Sequence, residues 1–375
     1  MNDRFSPAAV TYFLVANVLV LGTAAYAFPL ESGYPDFYYF SVQEDEYLEW
    51  ASFWAFLLAA VAFFRTAAVH RRANHAFPWY LYGIALFCFV VAMEEISWGQ
   101  RLLGYRPPAY FLEYNYQQEF NFHNVVETDY RKLALMLVIA GYGIVLPLAA
   151  RFSLIKDWMD RLAIVPPTIS LMPAFAGTFL LYYSYPWSHS GEWVELMLAL
   201  SFLFSAISMP LDGNGENVSI KINHLSSSQF TVVAFVAVIG LGLLSAAVTR
   251  AERDAHPANM QAVQTEVEAI SRDFESGLAR SSCNLHKRLY TFVEEYGQTK
   301  LYRGSYSGLQ SQGLPRERVE FFLDPWNSAY WIRDRCDRQS DTRILFVYSF
   351  GPNRRRDSSR TEILGDDIGS HFSSK

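Results

Sequence analysis

The chain has 375 residues, 51% of them hydrophobic and only 18% charged, with a formal net charge of −6. That balance excludes a disordered chain and leaves no basic footprint for nucleic acid. The mean hydropathy of +0.06 is an average over two unlike parts. Apolar runs of about 20 residues, each long enough to cross a bilayer, fill the stretch before residue 250, and most charges follow it.

Seven membrane spans are predicted, over residues 9–28, 47–66, 78–99, 132–150, 165–185, 192–210 and 230–249. Ala25-Tyr26-Ala27 resembles a signal-peptidase site, so the first span has two readings. Its leader holds one Arg offset by Asp3, which favours an uncleaved anchor. Arg65, Arg71 and Arg72 follow span two, Arg151, Lys156 and Arg161 follow span four, and Lys221 follows span six. By the positive-inside rule the N-terminus is cytoplasmic and residues 250–375 are extracytoplasmic. The chain is then an integral protein of the inner (cytoplasmic) membrane, with membrane lipids as its first partners. The loop after span three runs against this count, with Arg101, Arg106, Arg131 and Lys132. Cys283 and Cys336 fall on the oxidising side where one exists; a disulfide between them is expected, two free thiols being the alternative. Cys88 reads as packing within span three.

Charges inside spans are expensive, so their positions inform. Glu46 and Glu49 open span two. Glu94 and Glu95 close span three, in the run Met93-Glu94-Glu95-Ile96-Ser97-Trp98-Gly99-Gln100-Arg101. On a continuous helix Glu94, Ser97 or Trp98, and Arg101 would share one stripe. Span six opens His189-Ser190-Gly191-Glu192-Trp193-Val194-Glu195. Between spans three and four lies Asn115-Tyr116-Gln117-Gln118-Glu119-Phe120-Asn121-Phe122-His123-Asn124, which suits an interfacial or re-entrant segment. A polar cap on helix starts accounts for Glu46, Glu49, Glu192 and Glu195. It accounts poorly for Glu94 and Glu95, at the unfavourable end of their helix.

The sharper expectation is one outer-face site lined by Glu94, Glu95, Gln100, Arg101, Glu119, His123, Asn124, His189 and Glu192. A divalent metal there would draw on Glu95, His123, His189 and Glu192. Acid–base chemistry on a headgroup, glycan or lipid-linked substrate would draw on Glu94, Glu95, Arg101, Glu119, His123 and Glu192. Span count and acidic pair are similar to those of the alkaline ceramidase-like zinc amidases. Those enzymes carry an HxxxH pair on a late span, which this chain lacks.

After the last span, Val263, Val267, Ile270 and Phe274 recur at helical spacing. A helix of about 50 residues kinked at Pro257 is expected, then a short helix over 283–296. Strands are expected over 301–306, 318–323, 329–333 and 343–349. Asp324-Pro325-Trp326-Asn327-Ser328-Ala329-Tyr330, Val347-Tyr348-Ser349-Phe350-Gly351-Pro352-Asn353 and the late Gly365-Asp366-Asp367-Ile368 occur in that order. Here the chain resembles the major pseudopilin of type II secretion. The resemblance implies an α+β pilin-like ectodomain and a calcium loop using Asn353, Asp366 and Asp367, with Asp357 a further ligand. Gln229 and Ala234 stand where prepilins carry the cleavage-site Gly and the assembly Glu, which points away from export into a pilus.

The expected fold class is a polytopic α-helical membrane protein with a C-terminal α+β pilin-like ectodomain, divided at 1–228 and 229–375. Three functions compete: an envelope-assembly or secretion protein with a protein partner and a ligand or metal site; a membrane-embedded metal-dependent hydrolase or transferase acting on lipid; and a transporter. The transporter ranks last, because the polar groups sit at one face and not at the midplane.

Overall fold

The structure, a computed structural model, describes residues 7–74, 77–115, 117–209, 227–249, 256–275, 285–296, 316–337, 342–359 and 362–374. The chain opens with α1 (Pro7–Gly33), α2 (Pro35–Ser41), α3 (Tyr47–Asn74) and α4 (Trp79–Glu95). The short helices α5 (Gln100–Leu103) and α6 (Ala109–Tyr114) follow. Then come α7 (Thr128–Ala140), α8 (Leu146–Ala149), α9 (Ser153–Arg161), α10 (Met172–Ser184), α11 (Ser190–Ser208) and α12 (Ser227–Thr249). The C-terminal part holds α13 (Pro257–Glu275), β1 (His286–Arg288), α14 (Leu289–Tyr296), α15 (Arg316–Glu320), β2 (Trp331–Asp337), β3 (Thr342–Ser349) and β4 (Ile368–Ser374).

Two compact units emerge. The first contains Met1–Trp98 and Val126–Ala247, the second Gly99–Val125 and Val248–Lys375. These boundaries differ from the sequence division at 228/229: most of α12 belongs with the apolar helices, and the loop after span three joins the C-terminal residues.

Among the described residues of the first unit, five helices are long and apolar enough to cross a membrane: Val10–Gly33, Tyr47–Arg71, Thr128–Ala149, Ser190–Ser208 and Ser228–Thr249. Helix α11 packs against α1, α3 and α10 and is the most enclosed of them. Helices α1 and α12 instead turn Val10, Leu14, Val18, Val232, Val236 and Leu244 outward. Apolar side chains exposed along whole helices suit a hydrocarbon surround and not water. Two shorter apolar helices accompany them, α4 with 17 residues and Ile169–Ser184. Between α7 and α8 a π-turn covers Gly141–Val145, just before Pro147. Proline has no N–H for an ordinary helical bond, so the wider turn absorbs the break. Gly143 there stands against the Phe175 side chain, where a Cβ would have no room.

Two helical expectations are corrected. Helix α4 stops at Glu95, because Ser97, Trp98 and Gly99 all take positive φ (46°, 54° and 77°). No continuous stripe therefore joins Glu94 to Arg101. Nor is there one long helix kinked at Pro257: His256 is non-helical and Pro257 starts α13. Proline fits a first turn, where its missing N–H would have no helical partner anyway.

Among the described residues, the second unit carries a four-stranded antiparallel meander in the order β1-β2-β3-β4. Registers such as Ile332↔Val347 and Arg288↔Trp331 send alternate residues to opposite faces. One face presents Ile332, Leu345 and Val347 to a core completed by Val263, Val267 and Ile270 of α13. Full burial of each contributes about 1.5–3 kcal/mol, enough to hold α13 on the sheet. Residues 318–320, expected in a strand, are helical in α15, and His286–Arg288 forms a strand where a helix was expected. Tertiary pairing with β2 overrides local preference there. The strand expected at 301–306 and the Cys283–Cys336 pairing lie outside the described residues.

Candidate functional site

At one end of the first unit the chain gathers carboxylates. Glu46, just before α3, is only 1% exposed. Glu49 takes the Asp45 N–H on its Oε2, tying down the start of α3. The positive φ values at Ser97 and Trp98 fold the Trp98 ring back, so that its Nε1–H donates to Glu94 Oε1 at 2.7 Å. Glu195, Glu49, Glu192 and Glu94 are the charges acting on Glu95. Glu195 and Glu44 act on Glu192, with Arg131 of α7 supplying opposite charge. Four elements thus bring acidic groups into one electrostatic neighbourhood, which protons or a cation would relieve. His189 caps α11 in a left-handed conformation, exposed, its ring edge-on to Tyr39 at 6.2 Å.

Gln100, Arg101, Glu119, His123 and Asn124 belong to the second unit. The side chain of Arg101 lies outside the described residues. Gln100 Oε1 accepts the Phe120 N–H at 2.6 Å. Asn115 Nδ2 donates to the Glu119 carbonyl (2.7 Å) and to Asn121 Oδ1 (2.8 Å), and Asn121 Nδ2 donates to Glu119 Oε2 (3.2 Å). Glu119 Oε1 meets Arg288 Nη2 at 3.3 Å, with both side chains buried. Gln118, at φ 55°, donates to the Phe321 carbonyl at 3.1 Å. The polar run between spans three and four is therefore a buried knot stitched to the C-terminal residues. Asn124 Nδ2 donates to Gln117 Oε1, and His123 is half-buried.

The third acidic group lies in the β3–β4 loop. Asp357, Asp366 and Asp367 each offer an oxygen, all within 4.8 Å of one another. Asn353 binds these carboxylates through its Nδ2, reaching Asp357 Oδ2 at 2.9 Å and also Asp366 Oδ1. Its side-chain Oδ1 accepts the Arg355 N–H at 2.8 Å. Asn353 is thus tied to the carboxylates, and the three aspartates are a group that could hold a metal ion. Burial, then the bond to and charge of Asp357, push the Asp366 carboxyl up to about 8. Burial pushes Asp367 up to about 7, against bonds from Ser358 and the Asp357 and Ser358 N–H groups. Hard oxygen ligands on a loop suit calcium.

Sequence reasoning missed Arg288, which follows no motif and meets Glu119 across 169 residues. It counted Arg131, beside Lys132 at the start of α7, only toward topology and did not connect it with the acidic groups near Glu192. Comparison of the chain with protein families, with curated proteins and with solved structures finds no match.

Proposed function

We propose that this is an integral membrane protein whose extracytoplasmic, pseudopilin-like domain binds calcium in the β3–β4 loop and works in envelope assembly or secretion through a protein partner. The convergence of Asp357, Asp366 and Asp367 carries the reading, and a helix laid on an antiparallel meander accords with it. Arg355 and Arg356 direct guanidinium groups to Thr249 and His286, which eases their conflict with a cation. A second reading is a membrane-embedded, metal-dependent hydrolase or transferase, favoured by the carboxylates around Glu95.

One measurement separates the two: metal content and calcium titration of the full chain, of Asp366→Asn and of Glu95→Gln. The first reading expects calcium binding that Asp366→Asn weakens at least about tenfold, with Glu95→Gln unchanged. Protons compete for carboxyls raised to about 7 and 8, so binding should weaken as pH falls toward 6. No calcium binding by wild type would end the first reading. A transition metal lost in Glu95→Gln would put the second in its place.

Parity supports the orientation read from the basic loops. The Glu119–Arg288 and Gln118–Phe321 contacts tie residues 99–125 to the C-terminal residues, so both stand on one side of the bilayer. The chain between them then crosses an even number of times. α7–α8, α11 and α12 supply three long crossings, so α10 supplies the fourth. With α1, α3 and α4 crossing before residue 99, the N-terminus lies on the opposite side. In a cysteine-free background, Glu362→Cys should react with an impermeant maleimide on intact cells, and Asp160→Cys only after lysis. Labelling of both from the same side would refute the parity.

A further inference from the structure

Helix α9 of the first unit has an apolar face that the described residues leave largely uncovered. At about 3.6 residues per turn, Leu154, Ile155, Trp158 and Met159 fall on one side of it. Ser153, Asp157 and Asp160 fall on the other, with Lys156 and Arg161 at the two borders. Of these apolar residues only Met159 is buried. Leu154 is 79%, Trp158 64% and Ile155 41% exposed, and Phe152 and Leu162 at the ends are exposed as well. An amphipathic helix in water turns such a face toward the core; here it is turned out.

Its place in the chain identifies what covers it. Only Ala150, Arg151 and Phe152 separate α9 from the apolar helix Thr128–Ala149, and three residues reach about 11 Å at most. The Phe152 N–H bonds the Ala149 carbonyl at 3.1 Å, so the link is a tight turn. Leu137, Val145 and Leu148 before it are exposed too, so outward apolar surface continues along the chain into Phe152 and Leu154. At the other end Ala163 takes φ 52°, and the Ile164 N–H returns to the Met159 carbonyl at 2.8 Å, which stops the helix. The Leu162 carbonyl accepts the Nε1–H of Trp79, first residue of apolar α4, at 2.7 Å. Both ends of α9 are thus held at the ends of apolar helices. Its 9 residues are too few to cross a bilayer, so a helix held this way lies along the boundary.

The order of charges fits that boundary. Asp157 and Asp160 sit farthest from the apolar face, where water is. Lys156 and Arg161 stand at the borders, where their stems lie on apolar surface and their cationic heads reach lipid phosphates. Trp79 and Trp158 supply rings of the kind that collect at headgroup depth.

We propose that α9 lies in the membrane interface, its Leu154 and Trp158 side chains among the lipid chains and its Lys156 and Arg161 on lipid phosphates. The inference rests on the membrane reading above and on neither the calcium nor the metal site.

Nitroxide labels on single cysteines test this, in a cysteine-free full-length chain reconstituted in vesicles of phosphatidylcholine and phosphatidylglycerol. Collision with oxygen, which concentrates in lipid, is compared with collision with a water-soluble nickel chelate. Leu154→Cys and Trp158→Cys labels should show an oxygen-to-chelate ratio about tenfold above that of Asp157→Cys. Leu137→Cys, midway along Thr128–Ala149 and 63% exposed, reports the membrane reading alone and should favour oxygen most. If the Leu137→Cys label favours the chelate, the membrane reading falls and takes the proposal with it. If that label favours oxygen while Leu154→Cys and Trp158→Cys match Asp157→Cys, the proposal alone falls. It falls likewise if both labels are shielded from both reagents, since protein then covers the face. Adding Lys156→Gln and Arg161→Gln should lower the Leu154→Cys ratio about twofold with phosphatidylglycerol present, and not in phosphatidylcholine alone. No change, or an equal change in both lipids, would overturn the phosphate contacts.

Discussion

Asp324→Ala is expected to destabilise the second unit by roughly 3–5 kcal/mol, the loss for several buried donors left unmet. Asp324 is fully buried. Its Oδ1 accepts the N–H groups of Trp326 and Ser328, each at 2.9 Å, and its Oδ2 accepts the Ser349 hydroxyl at 2.5 Å. Ser349 Oγ in turn accepts the Gly351 N–H at 2.9 Å. One carboxylate thus ties the 324–330 turn to the end of β3 and to the start of the acidic loop. Thermal unfolding followed by tryptophan emission should show a fall of about 10 °C or more. A loss under about 1 kcal/mol would mean that the turn relaxes and finds other partners. Asn at this position keeps both N–H acceptors and should lose far less.

Burial raises the Asp324 carboxyl to about 7, against the bonds from Ser349, Ser328 and Trp326, while the Glu266 charge adds to the rise. A raised carboxyl favours the protonated folded state. That stabilisation is complete below the ordinary value of 3.8 and is lost as pH rises through about 7. Wild type should therefore melt lower at pH 8.5 than at pH 6, and Asp324→Asn should flatten that slope. An unchanged slope in Asp324→Asn would assign the pH dependence to other groups.

What the sequence made legible, and what it hid, divides by range. The apolar helices follow from hydropathy, because a span must satisfy its own backbone and shows a local signal. The stripe Val263, Val267, Ile270 faces the core at helical spacing, again a local pattern. The aspartates of the β3–β4 loop stood close in sequence to the motif run that drew attention to them, and three of their oxygens do converge. The end of α4 was not legible: nothing in Ser97-Trp98-Gly99 except the glycine announces positive φ. Trp98 adopts it where its indole bonds Glu94. Least legible was the destination of residues 99–125. Their amides and aromatics read as an interfacial segment, since a run of Asn, Gln and Phe looks alike at a headgroup boundary and in a folded core. The partners that decide, Arg288 and Phe321, lie far along the chain.

Glu119→Leu is expected to cost about 3–5 kcal/mol, because it strands Arg288 as a buried charge without its carboxylate. Arg288→Met should cost a similar amount by stranding Glu119. The pair lies at 3.3 Å with side chains 3% and 7% exposed, so water cannot readily take the place of the missing partner. In the double variant both charges are gone and two apolar side chains share the space, so most of the loss should return. Denaturant unfolding of the four proteins gives the coupling directly, and an additive double variant would show that each residue leans on other partners. The same cycle decides what Glu119 is for. If it serves only to hold residues 99–125 on the C-terminal residues, the double variant regains function with stability. If Glu119 is an acid or ligand, as its place in the polar run first implied, the double variant regains stability while metal content or turnover stays lost. The structure favours the first outcome: Asn121 and Arg288 occupy both carboxylate oxygens.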